Sequence, residues 1–255
     1  MSAVSLAVHQ MRYEQKAYWR NPASAFFTFA FPIMFMVIFA SLNSGTRIPF
    51  LGDIPFNQYY IPAITAFAVI SACYSNLGVT LALRRDSGAL KRLRGTPLPA
   101  GSFIGGVIGN SLVVSTILIA ITLAFGTGVY GLRWHGHLLA LALTFLLGAA
   151  CFCALGIAVS MLVPNADAAP AIVNFAIFPV LFLSGTFFPI PGTATITRVA
   201  DYLPVRPFTQ AMFAAFDPRT RGLGFDGRSL LVLSVWLVAG VAVAVRRFRW
   251  EPRRS

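Results

Sequence analysis

The chain alternates long apolar runs with short charged clusters. Six stretches contain no Asp, Glu, Lys or Arg: 21–46, 54–83, 95–132, 134–166, 168–197 and 229–245. A helix that crosses a bilayer needs about 20 mostly apolar residues. Five of the stretches exceed that length and the sixth sits at its lower limit. The pattern predicts membrane-spanning helices at about 23–42, 60–83, 103–130, 138–163, 169–184 and 229–246. The expected fold class is therefore an all-α integral membrane protein of six spans, one transmembrane domain over residues 1–255.

The segments between the spans differ in kind. Residues 4–20 read as an amphipathic helix lying in the membrane interface, with Val4, Val8, Met11 and Tyr18 on one face and His9, Arg12, Lys16 and Arg20 on another. A plain basic leader is the alternative. Asn21-Pro22 opens the first span, and Pro32 is its expected kink. Residues 43–57 form a polar turn, and 164–167 a very short connection. Residues 193–228 read as one or two short surface helices, broken at Pro204 and Pro207.

Composition sharpens this picture. The chain is 57% hydrophobic and 11% charged, against about 25% charged in an ordinary soluble domain. A soluble enzyme, a secreted disulfide domain and a disordered chain are excluded. The net charge of +12 fits basic flanks on an anionic membrane face, and no nucleic acid partner is expected. With both termini cytoplasmic, 13 of the 20 basic residues fall on the inner side and 7 on the outer. That bias favours both termini on the cytoplasmic side of the membrane. Cys73, Cys151 and Cys153 all lie in apolar runs, and Cys151-Phe152-Cys153 lacks CxxC spacing. No cleavable leader is evident in the first 20 residues.

The chemistry that is missing narrows the function. There is no GxxxxGK[ST] phosphate loop and no HExxH, and His135 and His137 read as an interfacial loop pair rather than metal ligands. No catalytic set is apparent, so the chain is not read as an enzyme. The spans carry no acid, base or histidine in their interiors, although ion-coupled carriers usually place relays there. A passive channel or an ion-coupled secondary transporter is kept as the alternative. The favoured reading is a membrane body with no energy source of its own, driven by a partner.

Residues 84–99 are where that partner would act. Asp86 or Ser87 can cap a short helix running to about Arg94, which Gly95 and Pro97 end. Leu90 and Leu93, three apart, form an apolar ridge among charges that suits a groove on a cytosolic protein. A solvated basic loop is the plain alternative. The run Asp86, Gly88, Leu90-Lys91, Leu93 and Thr96-Pro97-Leu98 resembles the loop between the second and third spans of ABC transporter type-2 permeases, with Asp where the family more often has Glu. Leu183-Ser184-Gly185-Thr186-Phe187-Phe188-Pro189-Ile190-Pro191 is similar to that family's Ser-Gly-aromatic-Pro element after the fifth span, and 201–207 to its Leu-Pro segment.

The resemblance implies a half-transporter. Two permease chains, identical or not, would pair around a central path, each bound to a separate cytosolic ABC ATPase subunit. ATP and Mg would sit on that partner, and this chain would bind no cofactor. Asp86, Gly88, Leu90, Lys91, Leu93, Arg94, Thr96 and Pro97 would form the ATPase-coupling segment. Ser184, Gly185, Phe187, Phe188, Pro189 and Pro191 would form an outer re-entrant gate, the 184–191 element that leads into the outer segment 185–228, although lipid-facing or interfacial packing alone would also account for the two phenylalanines. The family's cargoes are drugs and antibiotics, lipids or lipid-linked glycans, and a chain without large insertions looks most like the drug and antibiotic exporters.

Overall fold

The computed structural model describes residues 3–95, 98–133, 137–191, 195–217, 219–220 and 222–248. Thr96, Pro97 and His135 therefore lie outside the described residues, as does the side chain of Arg94. Eleven α-helices are present in that part of the chain: α1 Ala3–Trp19, α2 Pro22–Leu42, α3 Phe56–Ile70, α4 Leu77–Asp86, α5 Ala89–Arg94, α6 Ala100–Gly128, α7 Leu138–Ser160, α8 Ala169–Leu183, α9 Thr195–Ala200, α10 Val205–Phe216 and α11 Gly227–Arg247. A π-helical segment, Ser71–Asn76, joins α3 to α4 without a break. The only strands among the described residues, β1 Arg47–Ile48 and β2 Ile54–Pro55, form a small antiparallel hairpin inside the expected polar turn.

Five helical stretches are long and apolar enough to cross a membrane: Ala25–Leu42, Phe56–Asp86, Ala100–Gly128, Leu138–Ser160 and Gly227–Arg247. The sixth apolar helix, α8, has only 15 residues. At about 1.5 Å per residue it covers about 22 Å, less than the hydrocarbon core of about 30 Å. The second span shows the opposite departure. It was expected at 60–83 and runs from Phe56 to Asp86, 31 residues or about 46 Å. Its charged end stays helical because Arg84, Arg85 and Asp86 all find partners on other elements.

The centre of the body is α3. Tyr60, Ile61, Ile64, Phe67 and Ile70 are all buried, packed between α2, α6 and α10. The hydroxyls of Thr65 and Thr122 meet at 3.0 Å and tie α3 to α6 within this apolar core. Such interhelical bonds contribute about 0.6 kcal/mol in membrane proteins. The π segment packs on α7 at Gly156, where an added methyl would lie 2.8 Å from the Tyr74 carbonyl oxygen. The periphery is apolar instead: Phe26 and Phe27 on α2, Phe175 and Phe182 on α8, and Val235 and Val238 on α11 are exposed. A lipid-facing exterior accounts for that distribution.

Two expectations need correction. The first concerns α10, expected at the surface and broken at Pro207. It is one continuous helix wedged against α3, α7 and α11, with Phe208, Met212 and Phe216 fully buried. Pro204 precedes it and Pro207 falls in its first turn, where a missing N–H costs nothing. The second concerns α1. Met11 and Tyr18 face the body, but Val4 and Val8 are exposed. Its seat is a run of glycines on α6, where an added Cβ would lie 2.5 Å from Gln10 Cγ at Gly106 and 2.9 Å from the Met11 sulfur at Gly109. The absence of those side chains lets α1 lie against α6.

Candidate functional site

Three consecutive residues fasten the end of the second span to three different elements. Arg84 donates to both carboxylate oxygens of Glu14 on α1, at 2.7 and 2.6 Å, and Gln10 donates to the same carboxylate at 2.8 Å. Arg85 is almost completely buried and donates to the carbonyls of Ser160 and Val163, at the C-terminal end of α7. A cation there also complements the helix macrodipole. Asp86 accepts from the backbone N–H of Ala166 at 3.0 Å, in the connection that leads to α8. The root of the 84–99 segment is thus joined to α1, α7 and the approach to α8.

Beyond that root the chain turns at Gly88, whose φ of 69° lies in the left-handed region that suits glycine. Helix α5 follows. Its apolar side does not face outward as expected: Leu90 is fully buried in the body's own core, and Leu93 and Leu98 pack partly against it. The short helix holds itself to the protein through the ridge that would otherwise meet a partner. Its outward groups are Lys91 and Arg92, both exposed.

At the other end of the body, α8 stops and its terminal carbonyls are met by side chains. The Tyr59 hydroxyl donates to the Gly185 carbonyl at 2.6 Å, and Arg206 donates to the Ser184 carbonyl at 3.3 Å. Arg206 is itself paired with Asp201 at 2.7 Å. The hydroxyls of Ser184 and Thr186 are 2.5 Å apart, and that of Thr186 lies 3.3 Å from the Thr209 hydroxyl on α10. Non-helical backbone survives inside a membrane body only when its polar groups are satisfied in this way. Gly185, with φ of 82°, makes the turn. Phe187 is buried among Phe35, Phe67 and Phe182, with ring centroids 5.8, 5.3 and 5.2 Å away. Phe188 is exposed against Phe39, Pro189 is half-buried and Pro191 is exposed.

Between these ends an open groove of about 520 Å³ runs along the outer face of the π segment, bounded by α2 and α8. Phe27, Phe31 and Pro32 line one side, and Ser71, Ser75, Asn76 and Asn174 bring hydroxyls and amides into it. Polar side chains at this depth are costly against lipid and mark a wet path or a protein contact. π segments recur at functional sites. The sequence reading did not single out these four polar residues, Tyr59, Arg206 or the Glu14–Arg84 pair. The available signal was a few polar residues inside otherwise uninterrupted apolar runs.

The long apolar helices, the half-buried turn after α8 and the braced segment at the end of the second span define a multi-pass α-helical membrane body. The sequence matches the ABC-2 type transporter family over residues 9–216, and the chain belongs to that family. It is also similar to the inner membrane transport permease YadH of Escherichia coli strain K12 and to that of Shigella flexneri. Each is 23% identical over 159 residues, 61% of this chain and 60% of the relative. The similarity thus spans about three-fifths of those relatives' length.

Proposed function

We propose that this chain is the membrane-spanning subunit of an ATP-driven ABC exporter, moving an amphipathic or hydrophobic cargo such as a drug, antibiotic, lipid or lipid-linked glycan. A separate cytosolic subunit binds ATP and Mg and hydrolyses the nucleotide, and a second permease chain completes the path. The relatives' description as inner membrane permeases supports a bacterial cytoplasmic membrane location, and the basic-residue bias supports cytoplasmic termini.

The observation that carries the reading is the root of the 84–99 segment. A push on α5 reaches α1 through Arg84, α7 through Arg85 and the approach to α8 through Asp86, so one docking event moves several spans together. The docking surface is the exposed side of α5, with Lys91 and Arg92. Thr96 and Pro97 belong to the same segment by resemblance. The outer turn, Ser184 to Pro191, closes the far end and opens when α8 shifts against α10. The groove beside the π segment, aromatic on one side and amide-lined on the other, suits a cargo with apolar and polar parts.

The test is reconstitution of the chain with its ATPase in proteoliposomes loaded with a fluorescent amphiphile. ATP-dependent movement that stops when the ATPase is omitted supports the proposal. Movement that needs no ATPase and follows an ion gradient overturns it.

A further inference from the structure

Helix α1 has two unlike sides. Ala7, Gln10, Met11, Glu14 and Tyr18 face the body, where Gln15 also bonds Asn110 on α6 at 2.8 Å. His9, Arg12, Lys16 and Arg20 recur at helical spacing on the opposite side, and all four are exposed. Tyr13 and Trp19 flank this basic row and are exposed as well. The Tyr13 ring lies between His9, at 4.9 Å between centroids, and the Lys16 ammonium, at 5.9 Å. Only Arg20 and Asn21 separate α1 from α2, which continues as a membrane-spanning helix. That short link holds the basic row at the level where a span enters the bilayer. Cations flanked by Tyr and Trp at that level match the chemistry of a lipid head-group layer.

We propose that the basic row of α1 binds the phosphate-bearing head groups of anionic phospholipids, and that this contact clamps the Glu14–Arg84 joint at the root of the coupling segment. Glu14 lies on the side of the helix opposite the row, so a lipid that fixes α1 also fixes the carboxylate that holds Arg84. The clamp rests on the coupling reading given above; the lipid contact does not.

Trp19 serves as the reporter. The chain carries Phe at Trp134, Trp236 and Trp250 and is placed in phosphatidylcholine nanodiscs doped with brominated phosphatidylglycerol or brominated phosphatidylcholine. The proposal expects roughly tenfold preferential quenching by the anionic lipid, declining as salt shortens the Debye length. The combined Arg12→Gln, Lys16→Gln and Arg20→Gln variant is expected to lose the preference while keeping its helical content. Equal quenching by the two lipids, or a preference unchanged in that variant, overturns the lipid contact. So does loss of ATPase association as the variant's only effect, since the row would then serve the cytosolic partner. A spin label at Ser87→Cys tests the clamp. Lower mobility with phosphatidylglycerol, abolished by Glu14→Gln, supports it; equal mobility in both bilayers overturns the clamp and leaves the contact standing. None of these measurements requires ATP or cargo.

Discussion

Glu14 and Arg84 are 70 positions apart and form a two-point ion pair in which the carboxylate is 7% exposed and the guanidinium 26%. The pair fixes α1 to the last turn of α4, just ahead of α5. Removing one partner of a buried pair costs more than the pair contributes, because the other charge is left desolvated. Partial exposure of Arg84 reduces that penalty. Glu14→Gln and Arg84→Gln are each expected to destabilise the detergent-solubilised protein by about 1–3 kcal/mol. Thermal unfolding measures the loss. The double variant is expected to lose less than the sum of the singles, and strict additivity would contradict the pairing.

The contact between α7 and the π segment depends on having no side chain at residue 156. A methyl at Gly156 meets the carbonyl oxygens of Tyr74 at 2.8 Å and Cys73 at 3.1 Å, and backbone cannot swing aside as a side chain can. Gly156→Ala is therefore expected to destabilise by about 1–3 kcal/mol. Gly101→Ala is the control, since nothing lies within 4 Å of the added carbon. It should be neutral or gain up to about 1 kcal/mol from helix propensity. Equal effects at the two sites would refute the close packing.

The turn after α8 is held partly by the Tyr59 hydroxyl. Tyr59→Phe keeps the ring and leaves the Gly185 carbonyl without that donor, at a cost of about 1–3 kcal/mol. A cysteine at Phe188, already exposed, reports the consequence. Its labelling by a membrane-impermeant maleimide should quicken severalfold in the Tyr59→Phe background. An unchanged rate would show that this bond does not hold the turn closed.

Orientation is testable with two other cysteines. Ser87→Cys lies just before α5 and Arg228→Cys at the start of α11, and both positions are exposed. Impermeant reagent applied to intact cells should label only position 228, and both positions should react after permeabilisation. The three native cysteines are buried and give little background. Labelling of both positions in intact cells would refute the six-span arrangement.

Five of the expected spans were legible in the sequence because uncharged runs of sufficient length have few other uses, whereas the run at 169–184 yields only the 15-residue α8. The ends of those runs were less informative. Arg84, Arg85 and Asp86 look like the exit of a span, whereas they extend the helix and bond Glu14, the end of α7 and Ala166. Arg206 makes α10 look like a surface helix, and only its pairing with Asp201 and the Ser184 carbonyl makes its burial possible. Leu90 and Leu93 show a third limit. Spacing places them on one side of a short helix, but which way that side faces depends on tertiary packing, and Leu90 turns inward. Glu14 was similarly obscured as one acid in a helix dominated by basic residues.

The central claim is that the outward side of α5 receives the motion of an ATPase and that Arg84, Arg85 and Asp86 distribute it. Co-purification of the tagged chain in mild detergent, with mass spectrometry and an ATPase assay on the eluate, tests this most directly. The account predicts a stoichiometric nucleotide-hydrolysing partner that is lost when Lys91→Glu and Arg92→Glu are combined, with membrane insertion unchanged. A clean preparation without ATPase activity, or a partner retained at full stoichiometry by that variant, would contradict it.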